Sequence, residues 1–188
     1  QMSSIPNSMA ARDIASYLHP YTNLKSHIQS GPLIITSGKG VEVFDEEGKT
    51  YIEALSGLWC TSLGFNNERL VAAATKALNN LPFYHGFGGK SHPPGIELAE
   101  KLLGISPVPM SKVFFANSGS EANDTAIKII WYVNNALGRP EKKKIISRQK
   151  AYHGVTIATA SMTGLPNNHI DFDLPSDRVI HTTCPHFY

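Results

Sequence analysis

The chain of 188 residues is 41% apolar, which is enough for the buried core of one ordinary domain. Its 17 basic and 15 acidic residues are interspersed and give a formal charge of +2, so no basic face for nucleic acid is indicated. No apolar run is long enough for a membrane span, and no charged start precedes an apolar stretch. We therefore expect a cytoplasmic protein without a nucleic-acid or membrane partner.

Residues 1–63 are predicted to form a peripheral helix and a small sheet. A helical pattern of apolar residues runs from Ile14 to Leu18 and stops at Pro20. Short runs of β-type residues follow at 33–35, 41–44 and 50–52, with turn residues at 45–48. We expect these runs to pair as a small antiparallel sheet.

Residues 64–188 are predicted to begin a larger domain in which helices and strands alternate. Apolar positions at helical spacing predict helices at 70–81, 96–103, 121–137 and 155–162. Short apolar runs predict strands at 113–115, 144–147 and 179–181. This alternation indicates an α/β fold with a parallel or mixed sheet covered by helices, and such folds bind ligands at the carboxyl ends of their strands.

The segment NSGSEAN at 117–123 lies between the predicted strand at 113–115 and the long helix that follows. Backbone N–H groups at a helix N-terminus attract anions, Gly119 lets the main chain approach a ligand closely, and the hydroxyls of Ser118 and Ser120 can bind phosphate. The spacing from Ser118 to Glu121 also fits a capping box, which needs no ligand. The residues alone leave a phosphate site and a plain helix cap as equal alternatives.

Two motifs together change that balance. The segment at 117–123, followed by AYHG at 151–154, resembles the paired motifs of class III aminotransferases, which depend on pyridoxal phosphate. The resemblance implies fold type I, in which an α/β/α large domain is joined to a small domain. It also implies that Gly119 and Ser120 hold the phosphate of the cofactor, that Tyr152 covers its pyridine ring, and that His153 supports the tyrosine.

Further matches indicate a subgroup of this family. Leu58 and Trp59 resemble the start of the substrate pocket in amine:pyruvate and β-alanine:pyruvate transaminases, where Tyr152 would also face the substrate. Phe87 resembles an aromatic residue that reaches the active site from the neighbouring subunit, which implies a homodimer. Ordinary core packing is the alternative explanation for Trp59 and Phe87.

The resemblance also identifies what this chain does not contain. Aminotransferase chemistry requires a lysine that holds the cofactor as a Schiff base and a carboxylate at the pyridine nitrogen. The family places both beyond residue 188, so no catalytic residue is assigned here. We interpret 1–63 as part of the small domain and 64–188 as the start of the cofactor-binding domain, and we expect these residues alone to be inactive.

The implied activity is transfer of an amino group from a primary amine or ω-amino acid to a keto acid such as pyruvate. An aminomutase or decarboxylase of the same fold is one alternative, because the cofactor-binding motifs look alike. A non-catalytic module that binds phosphate ligands is another, because a fold does not by itself supply catalysis.

Two other kinds of site are disfavoured. GGKS at 88–91 imitates the end of a phosphate-binding P-loop but lacks the first glycine, since Tyr84 occupies that position. His181, Cys184 and His186 are crowded but have no second cluster of metal ligands, so no metal site is predicted. Cys60 and Cys184 are predicted to be isolated, reduced thiols.

Overall fold

The computed structural model describes residues 5–186, which divide into two compact units between Ser91 and His92. The division predicted after residue 63 stays a prediction, and the first four and last two residues of its two ranges lie outside the described residues. Within the described range, no helix is both long enough and apolar enough to traverse a lipid bilayer.

The first unit begins with two short helices, α1 (Met9–Ser16) and α2 (Leu24–Ser30). Side chains cap both, because Ser8 Oγ accepts a hydrogen bond from Ala11 N at 3.1 Å and Asn23 Oδ1 accepts one from Ser26 N at 3.1 Å. The predicted helix is therefore confirmed but ends earlier, before Tyr17. α2 was missed because it contains only two apolar residues, which are too few to establish a helical period.

An antiparallel sheet of three strands follows in the order β1 (Ile35–Lys39), β2 (Glu42–Asp45) and β3 (Thr50–Ile52). The register pairs Gly38 with Val43 and Val43 with Tyr51. Val43 is buried in this small sheet. The predicted antiparallel sheet is confirmed, although β1 lies almost entirely after the predicted run at 33–35.

A turn at Ser56–Trp59 (α3) leads to α4 (Glu68–Asn80), as the apolar spacing predicted. Asn67 Oδ1 caps α4 by accepting a hydrogen bond from Leu70 N at 3.2 Å. None of the residues of α4 is buried. The apolar side chains of this helix are therefore exposed in the described part of the chain.

The second unit contains α5 (Pro93–Ile105), α6 (Gly119–Ala136), β4 (Ile145–Arg148), α7 (Ile157–Met162) and β5 (Val179–Thr182). β4 and β5 pair in parallel, with Ile145 opposite Val179 and Ser147 opposite His181. Parallel neighbours joined through a helix form a β-α-β unit. The predicted α/β alternation is confirmed here.

The predicted strand at 113–115 is wrong. These residues form no strand, and Phe114 and Phe115 are exposed. A strand requires a neighbour to accept and donate its backbone hydrogen bonds. Among the described residues, β4 pairs only with β5 and no strand lies beside 113–115.

Candidate cofactor-binding site

The N-terminus of α6 is capped by the side chains of Ser118 and Glu121, in a variant of the capping box in which Glu121 accepts from the residue before the N-cap. Ser118 is the N-cap, and its Oγ accepts a hydrogen bond from Glu121 N at 3.2 Å. Glu121 Oε2 in turn accepts one from Asn117 N at 2.8 Å. The cap that the sequence predicted as an alternative to a phosphate site is therefore present.

This cap does not exclude an anion. The N–H groups of Gly119 and Ser120 make no hydrogen bond within residues 5–186. A Cβ built on Gly119 would meet no heavy atom within 4 Å, so there is open space beside its main chain. Two unpaired N–H groups at the positive end of an 18-residue helix provide the local geometry that a phosphate requires.

The loop at 151–154 is joined to this helix end by two hydrogen bonds. Ser120 Oγ accepts one from Val155 N at 3.0 Å, and Asn123 Nδ2 donates one to the carbonyl of His153 at 2.8 Å. The structure thus brings together two motifs that are separated by about thirty residues in the sequence. Tyr152 follows β4, at the carboxyl end of the parallel pair, and its side chain is exposed.

Thr163, which follows α7, holds the other side of this loop. Its buried Oγ1 accepts a hydrogen bond from His153 N and lies 3.0 Å from the carbonyl oxygen of Gly154. Gly164 continues the attachment, since its N–H donates to Ala151 and its carbonyl accepts from Lys150, both at 2.8 Å. The loop that carries Tyr152 is therefore fixed along most of its length.

Sequence reasoning did not identify Asn123 or Thr163 as parts of this site. Asn123 was noticed only as the end of a motif, and Thr163 lies in a run of small polar residues without a periodic signal. The buried hydroxyl of Thr163 satisfies two backbone groups of the loop, because it accepts a hydrogen bond from His153 N and donates one to the carbonyl of Gly154. Such a partner becomes recognisable only once the loop conformation is known.

Gly154 is the most tightly enclosed residue of the loop. Its φ of +133° is one that side-chain-bearing residues rarely adopt. A Cβ at this position would lie 2.5 Å from Thr159 Oγ1 and 2.6 Å from Ser120 Oγ. Glycine is required here because the loop passes directly against the serine at the helix end.

Leu58 and Trp59 belong to the first unit, in the turn α3. All four residues of α3 have positive φ, including 59° at Leu58 and 67° at Trp59, so the turn is left-handed. Side chains in this conformation cost roughly 1–2 kcal/mol each. Backbone strain of this kind often marks functional sites, and the side chain of Trp59 is 74% exposed.

Glu53 supports this strained turn. Its Oε1 accepts a hydrogen bond from Leu55 N at 2.9 Å, and its Oε2 accepts one from Gly57 N. Backbone bonds from Trp59 N to Leu55 O and from Cys60 N to Ser56 O, both 2.9 Å, close the turn. A charged acceptor thus stabilises N–H groups in a conformation that the side chains disfavour.

Phe87 also belongs to the first unit and begins the short 3₁₀ turn Phe87–Gly89. Its side chain is 82% exposed. GGKS at 88–91 lies in and after this turn, and no strand precedes it between α4 and the turn. A P-loop requires a strand before its glycines and a helix after them, so that alternative is excluded.

His181, Cys184 and His186 do not form a metal-binding group among the described residues. His181 Nε2 instead lies 3.1 Å from the carbonyl of Met162, and its ring packs edge-on against His169. Both cysteines are free thiols, as predicted.

Solved structures of transaminases superpose closely on this chain. The structure of the omega transaminase from Pseudomonas jessenii in complex with PMP superposes with a TM-score of 0.93 and 60% sequence identity, covering 95% of this chain and 40% of that one. The fold is accordingly that of fold type I enzymes, as the resemblance implied. A solved structure of a transaminase with L-alanine superposes with a TM-score of 0.91 and 59% sequence identity. The match covers 98% of this chain and 41% of that one.

The profile of the family Aminotransferase class-III matches residues 25–186, and the chain belongs to this family. Gamma aminobutyrate transaminase 3, chloroplastic, of Solanum lycopersicum is 52% identical over 191 residues, covering 98% of this chain and 37% of that protein. Vanillin aminotransferase of Capsicum annuum is 51% identical over 189 residues, covering 100% of this chain and 40% of that protein. The chain thus spans about two-fifths of the length of these relatives.

Class III aminotransferases depend on pyridoxal 5'-phosphate, and the residues present fit its phosphate. The two unpaired N–H groups and the open space at Gly119 provide room and donors for a dianion. The hydroxyls of Ser118 and Ser120 each accept a backbone N–H, which leaves their protons available for donation.

Proposed function

We propose that the complete protein is a pyridoxal-phosphate-dependent transaminase that moves an amino group from a primary amine or ω-amino acid to a keto acid such as pyruvate. The observation that carries the proposal is the helix N-terminus at Gly119 and Ser120, whose free N–H groups adjoin the anchored loop of Tyr152. The names of the relatives, which include γ-aminobutyrate transaminase and vanillin aminotransferase, support a small amine as donor.

Ser118, Gly119 and Ser120 bind the phosphate in this proposal. The main-chain N–H groups of Gly119 and Ser120 and the two hydroxyl protons donate to phosphate oxygens, and the dipole of α6 adds a favourable field. Ser120 has a second contact, to Val155 N, so it connects the phosphate with the loop that bears the ring-binding residue.

Tyr152 stacks on the pyridine ring, and His153 holds Tyr152 through the hydrogen bonds of its own backbone. When bound, the cofactor supplies an electron sink for the charge that develops at the substrate carbon. The protein residues named here would orient it, because a ring that stacks on a fixed tyrosine and is held by its phosphate has little freedom to turn.

The family resemblance implies that Leu58, Trp59 and Phe87 bind the substrate, and we propose the same role for Tyr152 in addition to its contact with the cofactor. The backbone strain at α3 supports this assignment for Leu58 and Trp59. We propose that the enzyme is a homodimer in which Phe87 serves the partner's site. We also propose a cytoplasmic location. Two tomato relatives are named chloroplastic and mitochondrial, so the proposal is tested by cell fractionation with markers for both organelles.

The test of the activity uses the complete gene product loaded with pyridoxal phosphate, pyruvate and a series of primary amines. Formation of alanine in step with loss of the amine supports transamination. Release of carbon dioxide or an isomerised amine supports a decarboxylase or aminomutase, and cofactor binding without any turnover supports a non-catalytic module.

The variant Ser120→Ala tests the phosphate assignment. Loss of a hydrogen bond to a charged group costs about 1.5 kcal/mol or more, so we expect affinity for pyridoxal phosphate to fall about tenfold or more. Ser106→Ala is the matched control, since Ser106 Oγ donates only to the exposed Val108 carbonyl. Equal affinity in the two variants contradicts the assignment.

A further inference from the structure

Asp13, His19 and His27 converge at one point of the first unit, where the sequence patterns indicated no metal site. His19 Nε2 lies 2.9 Å from Asp13 Oδ1, and His27 Nε2 lies 2.8 Å from Asp13 Oδ2. Among the described residues, this is the one group of three such side chains whose ligand atoms all lie within 4.8 Å of one another. The three come from α1, the segment after it and α2.

The cluster is enclosed but reachable. The side chains of Asp13, His19 and His27 are 12%, 24% and 11% exposed, and the two imidazole rings are 4.5 Å apart between centroids. His27 also lines an open cleft with residues that include Tyr17 and Leu24, which gives an ion a path from solvent. A metal site needs both partial burial and such an entry path.

We propose that Asp13, His19 Nε2 and His27 Nε2 bind Zn²⁺, with water as the fourth ligand. Two imidazoles and a carboxylate are a donor set that zinc accepts, at metal–ligand distances of about 2.0–2.2 Å. Tetrahedral ligands at those distances lie about 3.3 Å apart. The two Asp–His separations of 2.9 and 2.8 Å are about 0.5 Å shorter than this, and all three ligand atoms lie within 4.8 Å of one another.

Metal binding would replace the hydrogen bonds of the cluster. Without the ion, Asp13 accepts a hydrogen bond from Nε2 of each imidazole. In the metal-bound state Nε2 has given up this proton, and its lone pair coordinates the ion. The carboxylate then neutralises one of the two positive charges of the ion.

The ion would join two helices that otherwise pack weakly. Ala10 is the only buried residue of α1, and α2 has none. Metal binding contributes directly to folding free energy where apolar burial is small. The site lies in the first unit, whereas Gly119 and Ser120 of the cofactor site lie in the second.

The first test uses the wild-type complete gene product, freed of metal with a chelating resin and carrying no histidine tag. We expect calorimetric titration with Zn²⁺ to give one ion per chain, and Zn²⁺ to raise the unfolding temperature. Co²⁺ is expected to give the intense visible absorption of a tetrahedral site. A wild-type protein that binds no Zn²⁺ overturns the proposal, and the cluster is then held by hydrogen bonds alone.

The second test uses Asp13→Asn, His19→Gln and His27→Gln, with His85→Gln as the matched histidine control in the same unit. Loss of a residue that only hydrogen-bonds to a metal ligand typically weakens metal binding by about 10- to 100-fold. Each variant of a ligand itself should therefore weaken Zn²⁺ binding by at least about 10-fold. The control should bind as the wild type does. Binding that survives in all three ligand variants overturns the site even if the wild type takes up one ion.

Discussion

Gly154 shows how a single residue sets the spacing between the two motifs of the cofactor site. A methyl group there would overlap Ser120 Oγ and Thr159 Oγ1, and the φ of +133° would strain any side chain. We expect Gly154→Ala to lower the free energy of unfolding by about 2 kcal/mol and to weaken pyridoxal phosphate binding. Urea unfolding and cofactor titration measure the two effects.

Gly104→Ala is the matched control for this substitution. Gly104 lies in α5, its φ is not positive, and an added Cβ would meet nothing within 4 Å. Alanine should therefore stabilise the protein by about 0.5–1 kcal/mol and leave cofactor affinity unchanged. A Gly154→Ala protein as stable as the wild type would show that the loop has room to move.

At the scale of elements, the left-handed turn α3 depends on the carboxylate of Glu53. Glu53→Gln removes the charge that faces the N–H groups of Leu55 and Gly57, and we expect a loss of about 1 kcal/mol of stability. Because Leu58 and Trp59 sit in this turn, KM for the amine should rise while cofactor affinity stays constant. Steady-state kinetics measure the first and titration the second.

Glu47→Gln is the control, since Glu47 is an exposed carboxylate in the same unit that lies outside α3. An unchanged KM in Glu53→Gln would mean that the turn does not position the substrate pocket.

The sheet of the first unit should respond to acid through Asp45. Burial raises the pKa of Asp45, but hydrogen bonds from Tyr51 Oη and from the N–H groups of Lys49 and Glu47 outweigh it, so the pKa lies below its ordinary value. An aspartate whose pKa is lowered by folding stabilises the protein fully above its pKa in the unfolded chain, which is about 3.9. This stabilisation is lost as the pH falls through its pKa in the folded protein.

We therefore expect the urea midpoint of the wild type to exceed that of Asp45→Asn by a margin that shrinks as the pH falls below about 4. Glu42→Gln, at an exposed position of β2, should keep the pH dependence of the wild type. A margin that does not change with pH would show that the carboxylate does not stabilise the sheet.

For the whole molecule, exposed apolar surface is the dominant feature. The accessible surface is 15139 Å², whereas a folded monomer of this mass exposes about 8,900 Å². Amphipathic helices such as α4 bury no residue. Because the relatives are about two and a half times as long, the remaining part of a full-length enzyme has the size to cover these faces.

We expect residues 1–188 expressed alone to bind a hydrophobic dye strongly and to show no amino transfer, in contrast to the complete gene product. The physical reasons are the uncovered apolar faces and the location of the cofactor-binding lysine expected beyond residue 188. Dye fluorescence and an alanine-formation assay on both proteins measure this. Amino transfer by residues 1–188 would mean that one of their own lysines holds the cofactor.

The local features of this protein could be predicted from the order of its amino acids. The capping box at Ser118 and Glu121, the α4 and α6 helices and the α/β alternation depend on residues within a few positions of one another. The motifs at 117–123 and 151–154 were recognisable for the same reason, and with them the family.

Tertiary structure alone decided how distant segments meet. Thr163 and Asn123 anchor the Tyr152 loop, and Asp13 meets His19 and His27, through a chain path that no local pattern encodes. The segment at 113–115 has the composition of a strand but forms none, because pairing is a property of two segments and not of one. Local hydrogen bonding and side-chain periodicity are set by near neighbours, whereas these contacts arise only after the backbone has folded.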